Sequence, residues 1–188
     1  MTKMIFFLIL VFIPLMACNE LQVYINLQVK REMDASNAYL SFSHRLATNG
    51  TYMGFSEYFR QSAEEERQHG QKLIDYWALR NKDTTLSDLV VEDEVVDAKD
   101  LIEMIRLAHT MEQKVFISLN NVRTMAHSAK DYSTVHFIEK EMLEEQTTAL
   151  KLIHDLTRKI ERNSDDAKIL LNLLDRDLRK NQIKTVKP

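Results

Sequence analysis

The chain contains one Glu-x-x-His pair, Glu66 and His69, which a helix would place one turn apart on a single face. A carboxylate beside an imidazole can hold a metal ion or move a proton, and the surroundings decide between the two. Read in steps of three and four, the stripe through the pair is Phe55, Phe59, Ser62, Glu66, His69, Leu73 and Tyr76. It is polar only near its centre. Three other stripes share that form. The first runs Leu21, Ile25, Gln28, Glu32, Ala35, Tyr39, Phe42, Leu46, and the second Leu101, Ile105, Ala108, Glu112, Val115, Leu119, Val122, Ala126. The third runs Val135, Ile138, Met142, Gln146, Ala149, Ile153, Leu156, Ile160. The remaining histidines, His44, His109, His127, His136 and His154, have no acid three positions before them and read as surface or packing residues, with His136 an exception to keep in view.

Any one Glu on an apolar stripe reads as a snorkelling or salt-bridged side chain. Four polar residues at one level do not. Glu32, Glu66, Glu112 and Gln146 each fall near the middle of a helix, and antiparallel helices of similar length bring their midpoints together. Burying three carboxylates without cations costs several kcal/mol per ion even after relaxation, roughly, so a metal cluster is the economical reading. Carboxylates with one imidazole and no thiolate suit iron or manganese better than a structural zinc. Glu66 can bridge two ions, with Glu32 and His69 completing one and Glu112 the other. Tyr39, two turns after Glu32, is placed to hydrogen-bond a bridging ligand or to donate an electron.

The elements that must position these residues follow from the turn signals. Among 188 residues there are only 3 Gly and 2 Pro, too few for a many-stranded sheet, so an all-α domain is expected. Asn49-Gly50 separates a helix over about 20–48 from one over about 54–81. The period lapses across 82–97, an expected extended and partly buried connector. It resumes over about 98–127 and again over about 133–162. Asn163-Ser164-Asp165-Asp166 is expected to cap a short fifth helix over 167–180. Two short loops and one long connection predict a four-helix bundle with a single crossover. The net charge of −3, with acids and bases alternating along the helices, excludes a nucleic-acid partner.

At the N-terminus, Lys3, the apolar run from Met4 to Ile13 and the small residue Ala17 read as a secretory signal peptide over 1–18, preceding a single domain over 19–188. The run is shorter than the roughly 20 apolar residues of a membrane span, so no membrane association is expected once it is removed. Secretion is the expected destination. Lipid attachment at Cys18, the sole cysteine, as in a bacterial lipoprotein, or retention in vesicles are the alternatives. With one cysteine no intrachain disulfide can form, and the apolar core must hold the fold alone. Asn49-Gly50-Thr51 is a glycosylation sequon that secretion would make usable.

Around these residues the chain resembles the ferritins, and of them the heavy-chain type. Ile25-Asn26-Leu27, Glu32, Ala35-Ser36 and Tyr39-Leu40-Ser41 resemble the family's first-helix signature, and Gln61 to His69 its second-helix ferroxidase motif. Met111 to Val115, Phe137-Ile138-Glu139 and Leu143 to Gln146 resemble the segments of the third and fourth helices. The resemblance implies a ferroxidase centre of Glu32, Glu66, His69, Glu112 and Gln146 beside Tyr39, acting on Fe(II) and O₂. It also implies an iron-storing hollow cage of 24 subunits, alone or mixed with another ferritin chain, with the fifth helix lining channels. Of the family's acidic mineral-nucleating surface Glu65 is kept as a metal-binding residue, whereas Gln68 and Gln71 replace acids. At the three-fold channel, where the family presents His, Asp and Glu, this chain has Arg123, His136 and Glu139, a set that would oppose Fe(II). Two other readings compete, an iron carrier without fast oxidation and a secreted helical signalling protein. The intact carboxylate set opposes the first, and the short first loop opposes the second.

Overall fold

The computed structural model describes residues 2–80 and 98–180, with side chains described from Glu20 onward. The expected connector at 82–97 and most of the basic tail lie outside the described residues. Helix α1 (Thr2–Asn49) ends at a turn where Gly50 takes a φ of 64°, a left-handed conformation that costs glycine nothing. Helix α2 (Met53–Leu79) then runs back along α1, pairing Ser56 with Ser43, Ala63 with Ser36 and Trp77 with Gln22. Helix α3 (Leu101–Ser128) is also antiparallel to α1, since Arg45 reaches the Ala98 carbonyl and Arg31 that of Lys114. Helices α2 and α3 are therefore parallel to each other, so that the end of α2 and the start of α3 stand at opposite ends of the bundle. A bundle with a single crossover requires that arrangement.

A second tight turn, with Lys130 at a φ of 57°, leads into a rod made of α4 (Tyr132–Ile138), a π-helical turn (Glu139–Leu143) and α5 (Glu144–Arg162). The rod lies antiparallel to both neighbours: Tyr76 meets Thr134 and His69 meets Glu145 on one side, while Arg123 meets Glu139 and Gln146 meets Glu112 on the other. After a 3₁₀ turn (Ser164–Asp166), α6 (Ala167–Arg179) packs across the end of the bundle against α2. Among the described residues no helix is long and apolar enough to cross a membrane.

Sequence signals explain these boundaries. Asp100 accepts from the Glu103 amide at 2.9 Å while the Glu103 carboxylate accepts from the Lys99 amide at 2.7 Å, a reciprocal cap at the start of α3. Asp131 caps α4 through the Thr134 amide. The expected cap on the fifth helix is not made by side chains: Asp166 accepts no capping bond, and the four residues close a 3₁₀ turn instead. The stripes foreseen for α1 and α3 are buried at every position. On α2 Ala63 and Trp77 are buried where Ser62 and Tyr76 were expected, while Phe55, Phe59, Glu66, His69 and Leu73 are buried as expected. On the α4–α5 rod Thr134 and Thr157 are buried while Val135 and Leu156 are only half-buried. The same one-residue exchanges occur on α2, which is α-helical throughout, so they follow from how neighbouring helices pack.

Helix α2 begins without a capping side chain of its own, and Asp175 of α6 supplies one, its Oδ1 accepting from the Phe55 amide at 3.0 Å. Asp175 is buried and also held by Arg179 at 2.8 Å. Backbone approach here depends on Gly54, where an added Cβ would lie 2.2 Å from the Asp175 carbonyl oxygen. Gly54→Ala is therefore expected to push α6 off the bundle end and lower the melting temperature, by about 2–4 °C for each kcal/mol lost in a chain of this size. Calorimetric melting of variant and wild type checks this; unchanged melting with α6 still protected from hydrogen exchange would refute it.

Candidate metal centre

The apolar core is divided in two. One cluster includes Tyr39, Phe42, Phe55, Phe59, Ile105, Ala108 and Ile153, and the other Leu21, Ile25, Val29, Leu73, Trp77, Val115 and Met142. Each bundle helix passes from one cluster to the other across its polar residue: α1 at Glu32, α2 at Glu66 and His69, α3 at Glu112, and α5 at Gln146. All five are buried, and they form the single layer that the midpoint argument required.

Within the layer, ligand atoms of Glu32, Glu66 and His69 lie within 4.8 Å of one another. His69 Nδ1 is 3.0 Å from Glu66 Oε2, and its Nε2 is 3.3 Å from Glu145 Oε2. Glu112 receives hydrogen bonds from the Tyr39 hydroxyl and the Gln146 amide, which also reaches the Glu112 carbonyl at 3.2 Å. Gln28 donates to Glu32 Oε1 at 2.7 Å. Glu32 Oε2 and Gln28 Oε1, both buried, have no hydrogen-bond partner. Two acceptor oxygens without donors are poorly served by protein alone and well served by a cation. The donor set is chemically apt for iron, being oxygen-rich with one imidazole.

The electrostatics agree. Burial, then the charge of Glu66, hold the Glu32 carboxyl well above its ordinary 4.5, and the same two causes push Glu112 up to about 7. Burial acts to lower the pKa of His69, yet hydrogen bonds to Glu145 and Glu66 carry it up to about 10. Without metal the layer thus holds protons, and an arriving cation must displace them. Tyr39 is raised well above its ordinary range by burial and the Glu112 charge, so it stays a hydroxyl donor.

Sequence reading overlooked three participants. Gln28 weakened the α1 pattern as a stripe residue but serves as the donor that orients Glu32. Glu145 reaches His69 and, at 3.9 Å, Lys72; the spacing 142, 145, 149 is as helical as 142, 146, 149 and could have revealed it. Tyr58 joins Glu65, Glu66, His69, Glu112 and Glu145 in lining a cavity of about 70 Å³. Glu65 is exposed there, outside the buried layer. Gln68 and Gln71 donate to Glu64 and Asp75 along the exposed face of α2. Arg123, His136 and Glu139 lie away from the layer. Arg123 donates to Glu139 at 3.3 Å beside a cavity of about 250 Å³, whose lining includes His127 and not His136.

A single-crossover helical bundle with carboxylates and a Glu-x-x-His pair converging in its core is the architecture of the carboxylate-bridged di-metal proteins. Comparison with known proteins narrows the class. A family model described as a ferritin-like domain matches residues 22–163. Ferritin-1, chloroplastic, of Pisum sativum is 33% identical over 148 residues, 77% of this chain and 58% of that protein. Ferritin, chloroplastic, of Phaseolus vulgaris is 34% identical over 141 residues, 73% and 56% respectively. Soma ferritin of Lymnaea stagnalis is 30% identical over 144 residues, 76% of this chain and 82% of that protein. The chain belongs to the ferritin family. It spans less than three fifths of the length of those plant relatives.

The relatives correct one expectation. Secretion, with lipoprotein attachment or vesicle retention as alternatives, is overturned by the matching plant relatives, which are chloroplastic ferritins. The physical reason is that an apolar run after a lysine constrains where side chains can be buried, whereas a destination is an address read by receptors.

The layer also yields a stability test. Glu32 and Glu112 ionise more readily unfolded than folded, so what these two groups contribute to metal-free stability is greatest where both are neutral in either state and falls as pH rises from about 4.5, through about 7 for Glu112. Glu32→Gln is expected to raise the melting temperature of the metal-free protein at pH 7, with the gain fading toward pH 4. Melting at the two pH values, with chelator present, checks it; a lower melting temperature for the variant at pH 7 would count against a buried charge cost.

Proposed function

We propose that the chain is a heavy-type ferritin subunit that oxidises Fe(II) with O₂ in the buried layer and stores the Fe(III). The supporting observation is the convergence of Glu32, Glu66 and His69 donors within 4.8 Å, between two apolar clusters that offer those charges no other compensation. Iron is here substrate and cargo. Glu32, Glu66 and His69 would hold one Fe(II), and Glu112, with Glu66 shared, a second. The Gln146 amide orients Glu112, and the Tyr39 hydroxyl holds its other oxygen. Two Fe(II) give one electron each to O₂, which takes up two protons and leaves as hydrogen peroxide. The displaced protons of His69 and the raised carboxyls can supply those two. Apolar packing on both sides restricts water, so the charged groups interact more strongly than at a surface.

Glu66→Ala with His69→Ala is expected to leave a folded helical protein that has lost rapid Fe(II) oxidation, read as the growth of Fe(III) absorbance after air is admitted to anaerobically loaded protein. Oxidation at the wild-type rate would place the reaction elsewhere.

Storage requires a container, and we propose a cage of 24 identical subunits or of this chain mixed with another ferritin. The apolar surface left by one subunit supports it. On α6, Ile169 is 62% and Leu173 45% exposed, and Val23, Leu40 and Leu79 are exposed on the first two helices. Light scattering at neutral pH is expected to report one large hollow species; a monodisperse monomer would defeat the proposal. Within such a cage the Arg123–Glu139 pair would leave its junction close to neutral, a poor attractor for Fe(II).

A further inference from the structure

Two histidines outside the polar layer face each other across the α3–α5 contact. His154 Nδ1 and His109 Nε2 are 3.3 Å apart, with ring centroids separated by 5.2 Å and planes inclined at 57°. Both side chains are half-buried, within reach of solvent. We propose that His109 and His154 form a second metal site, separate from the carboxylate layer, that takes a tetrahedral divalent ion of the zinc class.

The spacing carries the argument. Two Zn–N bonds of about 2.0–2.1 Å meeting at the tetrahedral angle put their nitrogens about 3.3–3.4 Å apart, whereas the right angle of a square-planar ion would bring them to about 2.9 Å. The observed separation fits the first. Donor chemistry points the same way, because imidazoles without a thiolate suit zinc, while the carboxylate layer suits iron. His109 is favoured in its neutral, metal-binding form, because burial and the neighbouring His154 keep it below its ordinary range. Glu161, two turns after His154 on α5, adds a negative charge that acts on His109 and favours a cation there, without being a ligand. Asp155, next to His154, is engaged by Lys151 at 2.7 Å and is not needed. Water would complete the four positions.

An ion bound there would tie α3 to α5 one turn from Glu112, the α3 residue of the polar layer. It would therefore stabilise the folded chain in proportion to its occupancy.

The test is calorimetric titration of Zn(II) into the metal-free full-length protein at pH 7, comparing wild type with His109→Ala/His154→Ala. The double variant is expected to bind one equivalent fewer per chain. Because the result is a difference, it holds whether or not the carboxylate layer takes zinc or oxidises iron. Co(II), substituted as a visible probe, is expected to give an intense tetrahedral band in wild type that is missing from the variant. Should the double variant not fold, His154→Gln, which keeps a polar group between the helices, is expected to lose the same equivalent. Equal zinc stoichiometry in wild type and a folded variant would overturn the proposal and leave the pair as one that only shares a proton.

Discussion

Burying three carboxylates at one level of a helical bundle is the constraint on which the rest of this structure depends. A charge taken out of water costs several kcal/mol, roughly, unless it is paired or neutralised. Here Glu32, Glu66 and Glu112 are buried together, with a single imidazole among them. The protein mitigates that cost in part, through Gln28 on Glu32 and through Tyr39 and Gln146 on Glu112. It does not remove it, since Glu32 retains an oxygen without a donor. The remaining imbalance is one that a cation in the layer would offset.

Such a layer survives because the apolar clusters on either side are extensive. The aromatic side around Tyr39, Phe42 and Phe59 interlocks by stacked and edge-on contacts, with centroids 5.4–6.3 Å apart. The other side is anchored by Trp77, wholly enclosed but for an indole N–H that donates to Gln22. Each cluster fastens all four rods, so the layer between them cannot relax by letting a helix slide. Rigid neighbours of this kind keep converging charges converged.

The bundle end is secured by exchange between elements distant in the chain. Asp175 of α6 caps α2, and Gly54 leaves the space for that approach. The same helix exposes Ile169 and Leu173 on its other side. Holding the bundle closed and exposing apolar surface are thus divided between opposite faces of one short helix.

Helical class, the number of rods and the polar centre of each stripe were legible in the sequence alone. The reason is that burial on a helix follows a fixed angular period, so Glu32 and Glu112 betray themselves as polar breaks in stripes that are otherwise buried throughout. Period alone did not reach what the tertiary structure decided. In the core Thr134 takes the place expected of Val135, and Trp77 that expected of Tyr76. Both depend on how neighbouring rods fill space, which no single stripe records. The same holds for Glu145 on His69, for Asp175 on α2 and for the meeting of His109 with His154, 45 residues apart. Each is a contact between helices, and its existence rests on which faces the folded bundle turns toward one another.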